Sequence, residues 1–147
     1  MSCIAWDGKT MAGDKLATYG GTKRTCTKVF KIRYDEAIVL VGAVGDMAAV
    51  TAWIKWLKGG SYREKPSLST NDSFTGMMVF ADGSIEIWEW TMAPYLIAEK
   101  FHAIGSGRGE ALGAMAMGAD AKKAVEIASV FDCNVGNGVD VVEFDNA

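Results

Sequence analysis

Residues 76–90 limit the folds open to this chain more than any other stretch. Asp82-Gly83, a dipeptide suited to a type I′ turn, separates two short apolar arms, 76–81 and 84–90, and Ile85, Ile87 and Glu89 alternate onto one face of the second. Arms joined this tightly pair antiparallel, so the chain is committed to a hairpin-built sheet. The first third repeats the pattern. Residues 3–6, an Asp7-Gly8 turn and residues 10–12 running into Gly13-Asp14 read as an opening hairpin, and residues 28–32 and 37–41 read as a second pair. At Gly45-Asp46 the period changes. Met47, Val50, Trp53, Ile54 and Leu57 recur at helical spacing, with Asp46 as N-cap and Gly59-Gly60 as the stop. A polar connection covers 59–71. Beyond the central hairpin, residues 101–104 read as a strand entering Gly105-Ser106-Gly107, and residues 110–117 as a helix closed by Gly118. Asp120 caps a further helix carrying Ala124, Ile127, Ala128 and Phe131, and residues 139–144 supply a last strand.

Strands in hairpins and helices in blocks argue against alternating βαβ winding. The expectation is an α+β fold of two antiparallel sheets stacked face to face and covered by helices, with a single-sheet α+β domain left open. At 147 residues, 50% of them hydrophobic, the chain makes one domain, 1–147, able to build a core without disulfide or metal staples. With 15 basic and 18 acidic residues the net charge is −3, which provides no basic field for nucleic acid. Cys3, Cys26 and Cys133 form no CxxC pair and His102 is the only histidine, so no metal ligand cluster and no cofactor are expected. The opening MSCIAWDGKT has neither a basic run nor a long apolar segment, and no window approaches 18 apolar residues. A cytoplasmic protein, away from membranes, is expected.

The chemistry-bearing residues are few. No GxSxG elbow, phosphate-cradling glycine loop or HExxH motif occurs. His102, in a strand-like FHAI, reads as a hydrogen-bonded structural residue. A serine acts without histidine when it begins the chain and its own α-amine serves as base. Ser2, a small residue behind Met1, fits that arrangement once the initiator methionine is removed. Cys3 is the rival nucleophile, but strand alternation turns it to the opposite face, and only the terminal residue carries the free amine.

Several short elements recur in a telling order: Ser2-Cys3-Ile4-Ala5 at the first strand, Gly13-Asp14 ending the second, Thr27-Lys28-Val29 opening the third, Gly42 and Gly45 after the fourth, and Ala103-Ile104-Gly105-Ser106-Gly107 before a helix. Over essentially the whole chain this set resembles the proteasome β-subunit family, especially the short bacterial HslV-type peptidases and proteasome-like subunits of bacteria and phages. The resemblance implies the four-layer αββα sandwich of the N-terminal nucleophile hydrolases and a threonine-peptidase-like hydrolase. It matches Ser2 to the family's N-terminal threonine, without the γ-methyl that restricts its rotamer. Asp14 and Lys28 match the family's aspartate and lysine, the lysine disfavouring a second positive charge on the amine and so keeping it a base. Gly42 matches the oxyanion-hole glycine, Ser106 the serine beside the amine, and Asp132 a second supporting aspartate. The serine usual three residues beyond that aspartate is Val135 here. Plain structural readings stand beside these: Lys28 as a solvated strand residue, Gly42 as a bend, Ser106 as a helix cap.

The resemblance further implies a homo-oligomeric ring, a polypeptide substrate and an ATP-driven unfoldase as feeder. Two alternatives stand: a catalytically inactive ring-forming assembly protein of the same fold, and a small-amide hydrolase. Trp53 with Trp56, and Trp88 with Trp90, serve the core or ring contacts.

Overall fold

In the computed structural model, residues 2–144 are described. Eleven strands and three helices follow one another: β1 (Ile4–Trp6), β2 (Thr10–Asp14), β3 (Leu16–Tyr19), β4 (Thr22–Thr25), β5 (Val29–Tyr34), β6 (Ala37–Gly45), α1 (Met47–Gly59), β7 (Phe74–Val79), β8 (Ile85–Trp88), β9 (Tyr95–Ile97), β10 (His102–Ile104), α2 (Arg108–Ala116), α3 (Ala121–Phe131) and β11 (Val139–Glu143). A four-stranded sheet runs β10-β1-β2-β11 and a five-stranded sheet β5-β6-β7-β8-β9, while β3 and β4 form a hairpin of their own. Every pairing is antiparallel, as the hairpin pattern requires.

Three apolar clusters account for the packing. Ile4, Trp6 and Met11 of one sheet meet Leu40, Met77, Ile85 and Ile87 of the other. On the far side of the five-stranded sheet, Val39, Val41, Met78 and Trp88 cluster with Val50, Trp53, Trp56 and Leu57 of α1. On the far side of the four-stranded sheet, Cys3, Ala5 and Ala12 cluster with Ala111 and Met115 of α2 and Ala124, Val125 and Ala128 of α3. The two periods explain this sorting: alternate strand residues supply both faces of each sheet, and the three-to-four spacing on each helix supplies one apolar stripe.

Local signals hold at the helix ends to different degrees. The Asp120 carboxylate accepts from the Lys123 N–H at 2.8 Å and caps α3 as expected. Asp46 occupies the N-cap position of α1, but its side chain makes no capping bond. Among the tryptophans, Trp53, Trp56 and Trp88 form one aromatic knot, the Trp53–Trp88 and Trp56–Trp88 ring centroids each 5.7 Å apart. Trp90 lies beyond the end of β8 and is exposed, so the Trp88–Trp90 pair does not act as a unit.

Three strands escape the sequence reading. The β3–β4 hairpin is exposed along most of its length, so it shows no buried alternation, and its one signal is the Gly20-Gly21 turn. Strand β9 has three residues and two of them are exposed.

Candidate functional site

The ends of several elements converge on Ser2. It stands two residues before β1, Asp14 ends β2, Lys28 directly precedes β5, Ser106 lies in the turn from β10 to α2, and Asp132 is the C-cap of α3. Lys28 Nζ donates to Ser2 Oγ at 2.7 Å and to the two Asp14 carboxylate oxygens at 3.0 and 3.1 Å. These groups are withdrawn from water: Ser2 is 4% exposed, Lys28 2% and Asp14 0%. A buried ion pair holds only when the remaining lone pairs are satisfied. Here the backbone N–H groups of Cys3, Leu16 and Gly136 also donate to Asp14, at 3.0, 3.2 and 3.2 Å. Asp14 thereby ties the lysine to three separate stretches of backbone, and the lysine has one orientation, toward the serine hydroxyl.

The main chain of Ser2 is held as firmly. Its carbonyl accepts from the Gly107 N–H at 3.0 Å, and its nitrogen donates to Ser106 Oγ at 3.1 Å. Gly105, between β10 and α2, has φ +99°, and a Cβ there would stand 2.2 Å from the Ser2 carbonyl oxygen, so only glycine allows the turn to approach this closely. Hydrogen bonds from the Ser106 hydroxyl and then from the Asn134 N–H, the latter 2.8 Å long, hold the Asp132 carboxyl below the usual carboxylate range. Ser106 therefore connects the Ser2 nitrogen to an anion.

Cys3 faces the other way. Its thiol packs under α2 and α3 and lies 3.6 Å from the Gly107 carbonyl, and burial, followed by the Asp14, Glu110 and Asp132 charges, pushes its pKa up to about 12. A thiol so placed has no thiolate to offer at neutral pH.

Five of the six residues singled out from the sequence thus meet: Ser2, Asp14, Lys28, Ser106 and Asp132. Gly42 does not line the cavity beside Ser2. It lies within β6, paired to Val29 on one side and Met77 on the other, and a Cβ on it would come within 2.7 Å of the Ile4 side chain. Its glycine is explained by close packing between the sheets. The residues of this segment that reach the site come later in the chain. A cavity of about 550 Å³ opens beside Ser2 and Lys28 and is lined by Gly45, Asp46 and Met47 at the start of α1, by Thr18 and Arg24 of the β3–β4 hairpin, and by Asn134. Gly45 has φ +114°, and a Cβ there would meet the Ser73 carbonyl oxygen at 2.1 Å. The helical start at Asp46 was the available signal for this wall. For Asn134 the only signal was its nearness to Asp132.

Val135 packs among Cys3, Ala124 and Ala128 and brings no polar group to the site. His102 on β10 is paired in register with Trp6 of β1. Among the described residues, no group of three or more His, Cys, Asp or Glu side chains is placed to hold a metal ion, and no helix is long and apolar enough to cross a membrane.

No protein-family model matches the chain, and no curated protein matches it by sequence. Solved structures do. HslV from Trypanosoma brucei superposes with a TM-score of 0.67 at 18% identity, over 97% of this chain and 99% of that one. The BPH of Thiobacillus denitrificans, solved in complex with epoxomicin, matches at TM-score 0.67 and 19% identity over 99% and 100% of the two chains. Anbu from Pseudomonas aeruginosa, solved as a helical assembly, matches at TM-score 0.68 and 12% identity over 98% of this chain and 81% of that one. The chain has the fold of these HslV-type and proteasome-like subunits.

Proposed function

We propose that this protein is an N-terminal nucleophile hydrolase that cuts peptide bonds with Ser2 after removal of Met1, in the four-layer αββα arrangement of α1, the two sheets and the α2–α3 pair. The observation that carries the reading is the Lys28 ammonium 2.7 Å from Ser2 Oγ, fixed from behind by a fully buried aspartate. A cation in that position stabilises developing negative charge on Oγ and disfavours protonation of the neighbouring α-amine. In the reaction, Oγ attacks the substrate carbonyl carbon while the neutral amine takes the hydroxyl proton. The resulting oxyanion needs backbone donors, and the N–H groups of Gly45 and Met47 line the same cavity as Ser2, whereas that of Asp46 is already donated to the Ser73 carbonyl at 2.7 Å. The tetrahedral adduct collapses to an ester as the ammonium returns its proton to the departing nitrogen. Water, deprotonated by the same amine, then cleaves the ester and restores Ser2. Ser106, backed by Asp132, orients the amine through the contact it makes with the Ser2 nitrogen.

The subunit works in a homo-oligomer, in keeping with the assembly reported for Anbu, and takes polypeptide delivered by an ATP-driven unfoldase in the cytoplasm. Met117, Val130 and Phe131, at 90%, 73% and 74% exposure near the ends of α2 and α3, supply apolar surface for such contacts.

Intact-mass measurement combined with turnover of a fluorogenic peptide amide tests the reading. Loss of one methionine together with turnover abolished by Ser2→Ala is expected. A purified chain that keeps Met1, or a Ser2→Ala variant that turns over as fast as wild type, contradicts it.

A further inference from the structure

A second hollow, about 680 Å³, is lined by Gly105 and Ser106 and shares Ser73 with the cavity described above. Its walls come from the outermost strands of both sheets: Tyr95 and Ile97 of β9, and His102 and Ile104 of β10. Strand β9 pairs only with β8, and β10 only with β1, so among the described residues each presents an unpaired edge. Ser73 lines both hollows, and the hydrogen-bonded residues Ser2 and Ser106 line one each, so the two hollows adjoin at the candidate nucleophile.

Resting on the peptidase reading, we infer that this second hollow binds the leaving-group side of an extended polypeptide substrate, the residues that follow the scissile bond. The direction comes from the placement of the Ser2 atoms. Oγ is held by Lys28, which lines the first cavity, whereas the nitrogen is held by Ser106, which lines the second. The group that donates a proton to the departing amine is the Ser2 nitrogen, so the departing segment leaves on the Ser106 side and the acyl portion remains on the Lys28 side. The hollow suits that segment: an apolar floor of Val44, Ile87 and Leu112 accepts side chains, and the free edges of β9 and β10 offer main-chain donors and acceptors to an extended strand. A substrate with a short leaving group forgoes these contacts. The site is therefore built for polypeptides rather than small amides.

The test compares kcat/KM for two substrates sharing one acyl portion: a peptide ending in a fluorogenic amine, and an internally quenched peptide with five residues beyond the scissile bond. Wild-type protein is expected to favour the extended substrate by about ten-fold or more, since remote contacts lower the barrier at the reacting bond. Tyr95→Ala, at the rim, is expected to shrink that ratio by lowering kcat/KM for the extended peptide more than for the short one. Equal kcat/KM for both substrates in wild type overturns the inference while leaving the peptidase reading in place, as does a ratio unmoved by both Tyr95→Ala and Ile97→Lys. Failure of both substrates to react in a Ser2-dependent way overturns the two together.

Discussion

Lys28 is the residue whose loss this site tolerates least. Removing the ammonium leaves the Asp14 carboxylate fully buried with only backbone N–H donors, and breaking one side of a buried pair costs about 3–5 kcal/mol. Lys28→Met, which keeps most of the volume, is expected to lower the urea midpoint accordingly and to abolish reaction at Ser2. A midpoint within experimental error of wild type would show that the pair carries no such weight. Cys3 gives the opposite expectation: with its thiol pushed up to about 12 and packed under the helices, it should resist iodoacetamide in the folded protein at pH 8 while exposed Cys133 reacts. Peptide mapping reads the two sites separately. His102 sets a pH dependence. Burial lowers its pKa below the ordinary 6.5, so the unfolded chain binds the proton more readily than the folded one, and stability contributed by neutral His102 is present above pH 6.5 and declines on acidification. Replacement by Gln is expected to flatten the urea midpoint between pH 5 and 7 relative to wild type.

At the scale of elements, the turns between strands and helices position the chemistry. Gly105 brings the β10–α2 turn against the Ser2 carbonyl, and Gly45 brings the start of α1 against Ser73. Gly105→Ala forces both a positive φ on a residue with a Cβ and a 2.2 Å approach to backbone, so it should destabilise the fold and loosen Ser106 from the Ser2 nitrogen. Thermal melting together with the rate of Ser2 modification checks this; unchanged values for both would contradict it. The same elements show what the sequence disclosed. The Asp7-Gly8 and Asp82-Gly83 turns, the α1 stripe and the Asp120 cap announce themselves through local rules, and the structure carries them within a residue or two of their expected bounds. Strand alternation alone sends Cys3 away from the cavity. The β3–β4 hairpin was illegible because both its faces meet solvent, and β9 because three residues hold no period. Gly42 is ambiguous in the sequence for a related reason: a glycine within a strand looks the same whether a ligand or an isoleucine approaches it, and the structure sets the Ile4 side chain against it. The wall that does reach the cavity, from Gly45 to Met47, is fixed by how β6 runs into α1, a tertiary fact.

For the molecule as a whole, the two sheets bring the strand ends that bear Ser2, Asp14 and Lys28 together, and the ends of α2 and α3 carry apolar side chains in solvent. If that surface joins copies of the chain, Val130→Glu with Phe131→Glu should convert a larger assembly to monomer in sedimentation velocity without changing the far-ultraviolet dichroism. A wild-type protein that sediments as a monomer would remove the assembly from the account. The claim at its centre is more local: the hydroxyl held by Lys28 and Asp14 is a working nucleophile. Incubating the wild-type protein with a peptide vinyl sulfone, a reactive electrophile, then mapping the adduct by mass spectrometry, measures it directly. The account predicts one adduct per chain, on Ser2, absent in Lys28→Met; an adduct on Cys3, or none while Met1 is cleanly removed and the fold intact, would contradict it.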